Sequence, residues 1–177
     1  MNSEFILKIK SLHWINDNED DPEDLCCHGE VEVTIGNHFW EYSANVSASA
    51  LYFLKTLSEN HIIYEDNQMI PCCGHFMLPN EDGKTVTICG CTQGIDWTVL
   101  HEDNAVKMVL EDETEVIIPF EKYREQVFAY VDEIEAFYNS CEPKKMPKDE
   151  WEKDTYLLFW QEWHRRRGEK GRTDTFL

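Results

Sequence analysis

The chain has 177 residues with 35 acidic and 16 basic side chains, which gives a formal net charge of −19 at pH 7. Such a charge repels nucleic acid and anionic membranes and speeds the encounter with a basic protein. No apolar stretch reaches the ~20 residues of a membrane helix, and the first residues do not have the pattern of a secretory signal. The sequence therefore predicts a cytoplasmic protein with neither a membrane nor a nucleic-acid partner.

Apolar residues at every second position predict strands in the first part of the chain. Residues 5–9 and 30–35 both show this period, which is typical of strands with one buried face. A Gly-Asn turn signal at residues 36–37 separates the second strand from a short returning strand at residues 38–42. The opening of the chain is therefore predicted to be a three-stranded antiparallel meander.

The remaining chain alternates between helical and strand periods. A helix is predicted within residues 43–60, where apolar side chains recur on one helical face. Strands follow from the cysteine-rich hairpin at residues 71–91 up to Pro119, and an amphipathic helix covers residues 120–138. After a Pro-punctuated linker, a last helix rich in aromatic residues begins near Pro147.

These elements predict the α+β class. We expect one antiparallel sheet of six to nine strands, with one inserted helix and two C-terminal helices packed on one face. Residues 1–141 form an acidic domain, and residues 142–177 supply the linker and a C-terminal helix packed on the same domain.

The chemical hypothesis concerns the cysteine-rich hairpin. The chain has seven cysteines, several of them adjacent or one residue apart, which suits a reducing compartment better than a set of disulfides. With a loop of three or five residues, Cys73 opposes Cys91 and His75 opposes Cys89, so that four zinc ligands meet on one face. With a loop of two or four residues these ligands scatter, and the thiols pack as small apolar groups.

Two regions are candidates for partner binding. The acidic loop at residues 16–24 lacks the spacing of a calcium-binding EF-hand loop and is interpreted as a solvated or partner-contacting loop. The last helix can dock on the protein itself or on a second copy; we favour intramolecular packing because Trp-rich helices are commonly buried, and a homodimer is the alternative. The residues proposed for partner binding are Asp17, Asp20, Asp21, Asp24, Trp160 and Trp163.

Catalytic motifs do not stand out in this sequence. It contains no nucleophile elbow, phosphate loop, dinucleotide fingerprint or zinc-protease motif. Its histidines are spread singly, and the candidates for acid–base chemistry are His101, next to Glu102, and His164, two residues after Glu162. The preferred function is a non-enzymatic binding protein without a cofactor, of an inhibitor or immunity type, for a basic protein partner. The alternative is a small zinc-binding protein that uses hairpin 72–91, with Cys73, His75, Cys89 and Cys91 as ligands.

Overall fold

A computed structural model describes residues 4–16, 20–65, 67–74 and 76–168 of the chain. Within these residues the chain forms ten strands and three helices. The strands are β1 (Phe5–His13), β2 (His28–Ile35), β3 (His38–Asn45), β4 (Ile70–Pro71), β5 (Phe76–Pro79), β6 (Val86–Cys89), β7 (Gly94–Ile95), β8 (Thr98–Glu102), β9 (Ala105–Val109) and β10 (Glu115–Pro119). The helices are α1 (Val46–Lys55), α2 (Phe120–Ser140) and α3 (Glu150–Arg167).

The described strands form four small antiparallel sheets. Two sheets have three strands each, in the orders β1-β2-β3 and β10-β9-β8, and two are the pairs β4-β7 and β5-β6. The α+β class and the opening meander are confirmed, but the prediction of one sheet of six to nine strands is wrong. The physical reason is that β3 runs directly into the buried helix α1, so the later strands pair among themselves around that helix.

Helix α1 is the centre of the core. Nine of its ten residues are buried, and it contacts the first sheet, β4 and both of the other helices. The helix begins after Asn45, whose side-chain oxygen accepts the N–H of Ala48 at 3.0 Å, the usual arrangement of a helix N-cap. The buried amide of Asn45 also donates to the carbonyl of Gly74 at 2.9 Å, which fixes the start of the hairpin segment against α1.

The two C-terminal helices pack on different parts of this core rather than on one face of a common sheet. Helix α2 lies against α1 and β1, and Tyr123 and Thr56 share a hydrogen bond of 2.5 Å between their hydroxyls. Helix α3 lies against β5, β6 and α1, and it ends at Gly168 in the left-handed conformation, with φ of 88°. None of the helices in the described ranges has both the length and the apolar character of a membrane span.

Candidate functional site

The register of the cysteine-rich hairpin separates Cys89 from the other thiols. Phe76 pairs with Cys89 and Pro79 pairs with Val86, and the N–H of Asn80 donates to the carbonyl of Thr85 at 2.9 Å. The turn therefore has four residues, 81–84, which is the case in which the cross-strand pairing of Cys73 with Cys91 does not form. His75 lies outside the described residues.

A second arrangement nevertheless brings Cys73 and Cys91 together and adds Cys72. The Sγ atoms of these three cysteines lie within 4.8 Å of one another. The Cys72 and Cys91 sulfurs are 2.7 Å apart, and the backbone N–H of Cys91 donates to Cys73 Sγ at 3.2 Å. We call these three residues the thiol cluster.

The short pair β4-β7 positions the thiol cluster. Pro71 pairs with Gly94, and the ladder continues where the N–H of Cys72 donates to the carbonyl of Gln93 at 3.1 Å. A close backbone crossing follows at Gly90, where a Cβ atom would lie only 2.5 Å from the carbonyl oxygen of Cys73. Because only glycine leaves this space, Gly90 allows the segment that carries Cys91 to approach Cys73.

The pKa values of Cys72 and Cys91 shift in opposite directions. A hydrogen bond from the Cys72 thiol, with a further hydrogen bond to the backbone of Gln93, lowers the pKa of Cys91. The same bond between Cys72 and Cys91 raises the pKa of Cys72 to about 12. The pKa of Cys91 therefore lies below that of Cys72, so the exposed Cys91 is the first of the two thiols to lose its proton as pH rises.

We expect thiol-alkylating reagents to modify Cys91 before any other cysteine of the chain. Alkylation proceeds through the thiolate, and Cys91 is both exposed and lowered in pKa. Cys26 and Cys27 should react last, because burial raises the pKa of both thiols and closes access to them. Timed labelling of the reduced protein with iodoacetamide at pH 7, followed by peptide mass spectrometry, measures the order. Early labelling of Cys26 or Cys27 would contradict the described burial.

The carboxylates of the acidic loop bond to groups within the loop, on its flanks and in the linker before α3. Asp24 accepts the backbone N–H groups of Ile15 at 2.7 Å and of Cys26 at 3.0 Å, and Asp21 accepts the N–H of Glu23 at 2.9 Å. Asp20 is exposed, and its carboxylate accepts the backbone N–H of Glu142 in the linker before α3. Asp17 lies outside the described residues. Asp21 and Asp24 thus maintain the conformation of the loop, whatever else they contact.

Lys144 attaches the acidic loop to the linker before α3. Its Nζ donates to the carbonyl of Asp21 at 2.7 Å and lies 2.9 Å from the centroid of the Trp14 ring. Burial lowers the pKa of this ammonium, although the nearby carboxylates oppose the shift. The linker is therefore held to the domain by a buried cation between an aromatic ring and a carbonyl.

Trp160 and Trp163 lie in the core. Their side chains are 3% and 0% exposed, and the indole N–H of Trp163 donates to Glu135 of α2 at 3.1 Å. This position agrees with intramolecular packing of α3 and leaves neither ring on the surface. The accessible tryptophan of the helix is Trp151, which is 45% exposed.

Trp151 forms one wall of a groove that sequence analysis missed. Its ring lies 5.9 Å from the ring of Phe76, which is 54% exposed on β5. We call the depression beside this ring pair the aromatic groove; its volume is about 190 Å³. The groove is lined by Leu25, Cys26, Phe76, Met77, Pro147, Trp151, Glu152, Thr155 and Tyr156.

The chain matches no known protein family, curated protein or solved structure. The features of the structure that suggest a function are therefore the thiol cluster and the aromatic groove.

The two histidines considered as acid–base candidates, His101 and His164, both contact polar groups of neighbouring elements. His164 Nε2 lies 2.9 Å from Glu135 Oε1 at the contact between α3 and α2. His101 Nε2 lies 3.0 Å from the carbonyl of Thr56 at the end of α1. Both contacts join one element to another, so each ring has a structural role in addition to any chemistry.

Proposed function

We propose that this chain is a non-enzymatic binding protein that receives a basic protein partner, in the manner of an inhibitor or immunity-type protein. The observation that carries the proposal is the pair of exposed rings, Phe76 and Trp151, beside the acidic first turn of α3. Apolar anchors inside a charged rim supply affinity at protein interfaces, and complementary charge raises the rate of encounter.

The aromatic groove suits a partner segment that carries an apolar side chain next to lysine or arginine. Phe76 and Leu78 lie on the same face of β5 and are both exposed, so the apolar surface continues beyond the ring pair. Glu152 lines the groove, and Glu150 precedes Trp151 in the first turn of α3. Exposed apolar side chains that adjoin one another are typical of interaction surfaces, whereas single exposed apolar residues occur on most protein surfaces.

The net charge of the chain accounts for the attraction of a cationic partner, which the apolar groove does not provide. A net charge of −19 attracts a cationic partner over distances comparable to the Debye length, and this attraction weakens as salt is added. The anchors then determine how long the complex lasts, because truncation of buried contacts acts mainly on dissociation. The two contributions can be separated by experiment.

We expect Phe76→Ala to weaken binding by about tenfold or more, since loss of an interface anchor commonly costs at least about 1.4 kcal/mol. The matched control is Phe39→Ala, because Phe39 is a strand residue of similar exposure, 59% against 54%, on another sheet. The probe is a fluorescent peptide with one leucine between lysines, titrated by anisotropy. A peptide with glutamates in place of the lysines tests the charge requirement.

Three results would overturn the proposal. They are equal binding of the lysine and glutamate peptides, affinity that does not change between low and high salt, and equal effects of Phe76→Ala and Phe39→Ala. The same variants then serve in native lysate, where a physiological partner must be retained by the Phe39→Ala protein and lost by the Phe76→Ala protein.

A further inference from the structure

We propose that Cys72, Cys73 and Cys91 bind one thiophilic cation, Zn²⁺ or Cu⁺, with a position left open to solvent. Thiolate sulfur is the ligand that both ions prefer, and three protein ligands with one open position are typical of accessible zinc sites. The ligand set differs from the cross-strand set expected for the hairpin, because Cys72 enters it and Cys89 leaves it. The site is also separate from the aromatic groove, so it does not rest on the proposed partner.

The position of the thiol cluster argues against simple core filling. Cys26 and Cys27 are buried thiols, 5% and 0% exposed, and Cys27 packs among the apolar side chains of the core. In the thiol cluster Cys91 is exposed, and Cys72 and Cys73 are half-buried. Three thiols that converge at the surface gain little from burial, and their convergence needs another explanation.

The backbone holds the three sulfurs from two separate segments. Cys72 and Cys73 follow β4, Cys91 precedes β7, and the β4-β7 pair brings the segments together. Close approach at Gly90 and the N–H···S bond from Cys91 to Cys73 add two further constraints. Hydrogen bonds to sulfur of this kind orient ligands in metal sites.

The distances suit an ion after a small movement. Sulfurs bound to zinc at ~2.3 Å in tetrahedral geometry lie about 3.8 Å from one another. The three Sγ atoms lie within 4.8 Å, and the closest pair, Cys72 and Cys91, is 2.7 Å apart. Insertion of the ion therefore requires Cys72 and Cys91 to separate by about 1 Å. Rotation of the exposed Cys91 side chain can supply this movement.

An open cleft beside the thiol cluster gives the ion an entry path. It has a volume of about 370 Å³ and is lined in part by Gly90, Cys91, Gly94, Asp96 and Glu111. Two carboxylates in this cleft favour the approach of a cation. The cleft also provides space for a water molecule or another small ligand at the open position.

The experiment titrates the reduced full-length protein with Co²⁺ as a spectroscopic substitute for Zn²⁺, followed by displacement with Zn²⁺. We expect one ion per chain, a sulfur-to-cobalt charge-transfer band in the near ultraviolet, and displacement by one equivalent of Zn²⁺. A parallel titration with Cu⁺ against a calibrated chelator shows which of the two ions is bound more tightly. Absence of one-to-one binding of either ion would overturn the proposal.

Matched variants locate the site. Cys91→Ser should weaken metal binding at least about 100-fold, in line with loss of a metal ligand. Cys89→Ser, a half-buried thiol two residues away on β6, should keep wild-type affinity. Gly90→Ala retains every thiol but places a Cβ against Cys73, so we expect it to weaken binding as well. Equal loss in Cys91→Ser and Cys89→Ser would contradict the assignment.

Thiol labelling of the wild-type protein locates the site even if one of the variants fails to fold. Bound Zn²⁺ should protect Cys72, Cys73 and Cys91 from iodoacetamide and leave the labelling of Cys89 and Cys141 unchanged. Peptide mapping of protein purified with a reductant tests whether Cys72 and Cys91 form a disulfide instead of binding a metal ion. A persistent disulfide between Cys72 and Cys91 would show that these sulfurs serve as a covalent link instead.

Discussion

A chain that ends at Cys141 is expected to lose cooperative folding. It lacks α3, whose buried side chains fill the core between α1, β5 and β6. The large aromatic residues removed from the core are Tyr156, Phe159, Trp160 and Trp163. Burial of each contributes about 1.5–3 kcal/mol, so the total is comparable with the about 5–15 kcal/mol that stabilises a typical domain.

Thermal unfolding followed by near-ultraviolet circular dichroism measures this effect. The control chain ends at Gly168 and therefore keeps every residue of α3. We expect a cooperative transition for the control and none for the shorter chain. A folded shorter chain would mean that α3 is an appendage rather than part of the core. If that chain were also monomeric while the full chain is a dimer, the homodimer alternative for α3 would be supported.

Local patterns were sufficient to predict most of the helices and strands. The amphipathic helix predicted over residues 120–138 is α2, Phe120–Ser140, because one apolar stripe persists over five turns. The first helix is shorter than expected, Val46–Lys55 instead of residues 43–60, since β3 extends to Asn45, which is also the N-cap of the helix. Such differences at helix ends are set by the cap and by tertiary contacts, which periodicity does not report.

The thiol cluster could not be predicted from periodicity. Adjacent residues of a strand point to opposite faces, so strand periodicity separates Cys72 from Cys73, and Cys72 was not among the predicted ligands. In the structure both lie after the two-residue strand β4, where the chain is irregular and this rule does not apply. Their meeting with Cys91 depends on a pairing of only two residues on each strand, Ile70–Pro71 with Gly94–Ile95. Gly90 was the available signal, as an isolated glycine between cysteines often marks a close backbone approach.

Hydrophobic patterning also does not predict that a carboxylate of α3 is buried. The five consecutive apolar residues 156–160 cover most of the helix circumference, which predicts packing on more than one side. Tyr156, Phe159 and Trp160 are buried, in agreement with this pattern. A carboxylate, Glu162, nevertheless lies in the same buried region with 0% exposure. Buried charges require partners, and two partners of Glu162, Val86 and Lys55, come from distant parts of the chain.

Glu162 joins three elements through its two carboxylate oxygens. Oε2 accepts the backbone N–H of Val86 on β6 at 2.7 Å. Oε1 accepts the Nε–H of Arg166 at 2.8 Å and lies 3.6 Å from Nζ of Lys55 on α1. The arrangement thus connects α3 to α1 and to the hairpin, and Arg166 extends it to Glu59 beyond the end of α1.

We expect Glu162→Ala to lower the free energy of unfolding by about 3–5 kcal/mol, the usual cost of breaking a buried ion pair from one side. The substitution leaves the N–H of Val86 without its acceptor. It also removes one carboxylate from Arg166, which keeps Glu59, and from Lys55, which keeps the carbonyl of Val86. For a chain of this size, each kcal/mol lowers the melting temperature by about 2–4 °C. Calorimetry should therefore detect a decrease of roughly 6–20 °C.

Two further variants define the cause of that decrease. Glu162→Gln retains an acceptor of the same shape for Val86 but removes the charge, so its stability should lie between those of the wild type and Glu162→Ala. Glu121→Ala removes an exposed carboxylate that pairs with Arg124 in the first turn of α2, and exposed pairs contribute little. If Glu162→Ala were no less stable than Glu121→Ala, the carboxylate of Glu162 would have to be reached by water, and α3 would have to pack less closely on β6 than described.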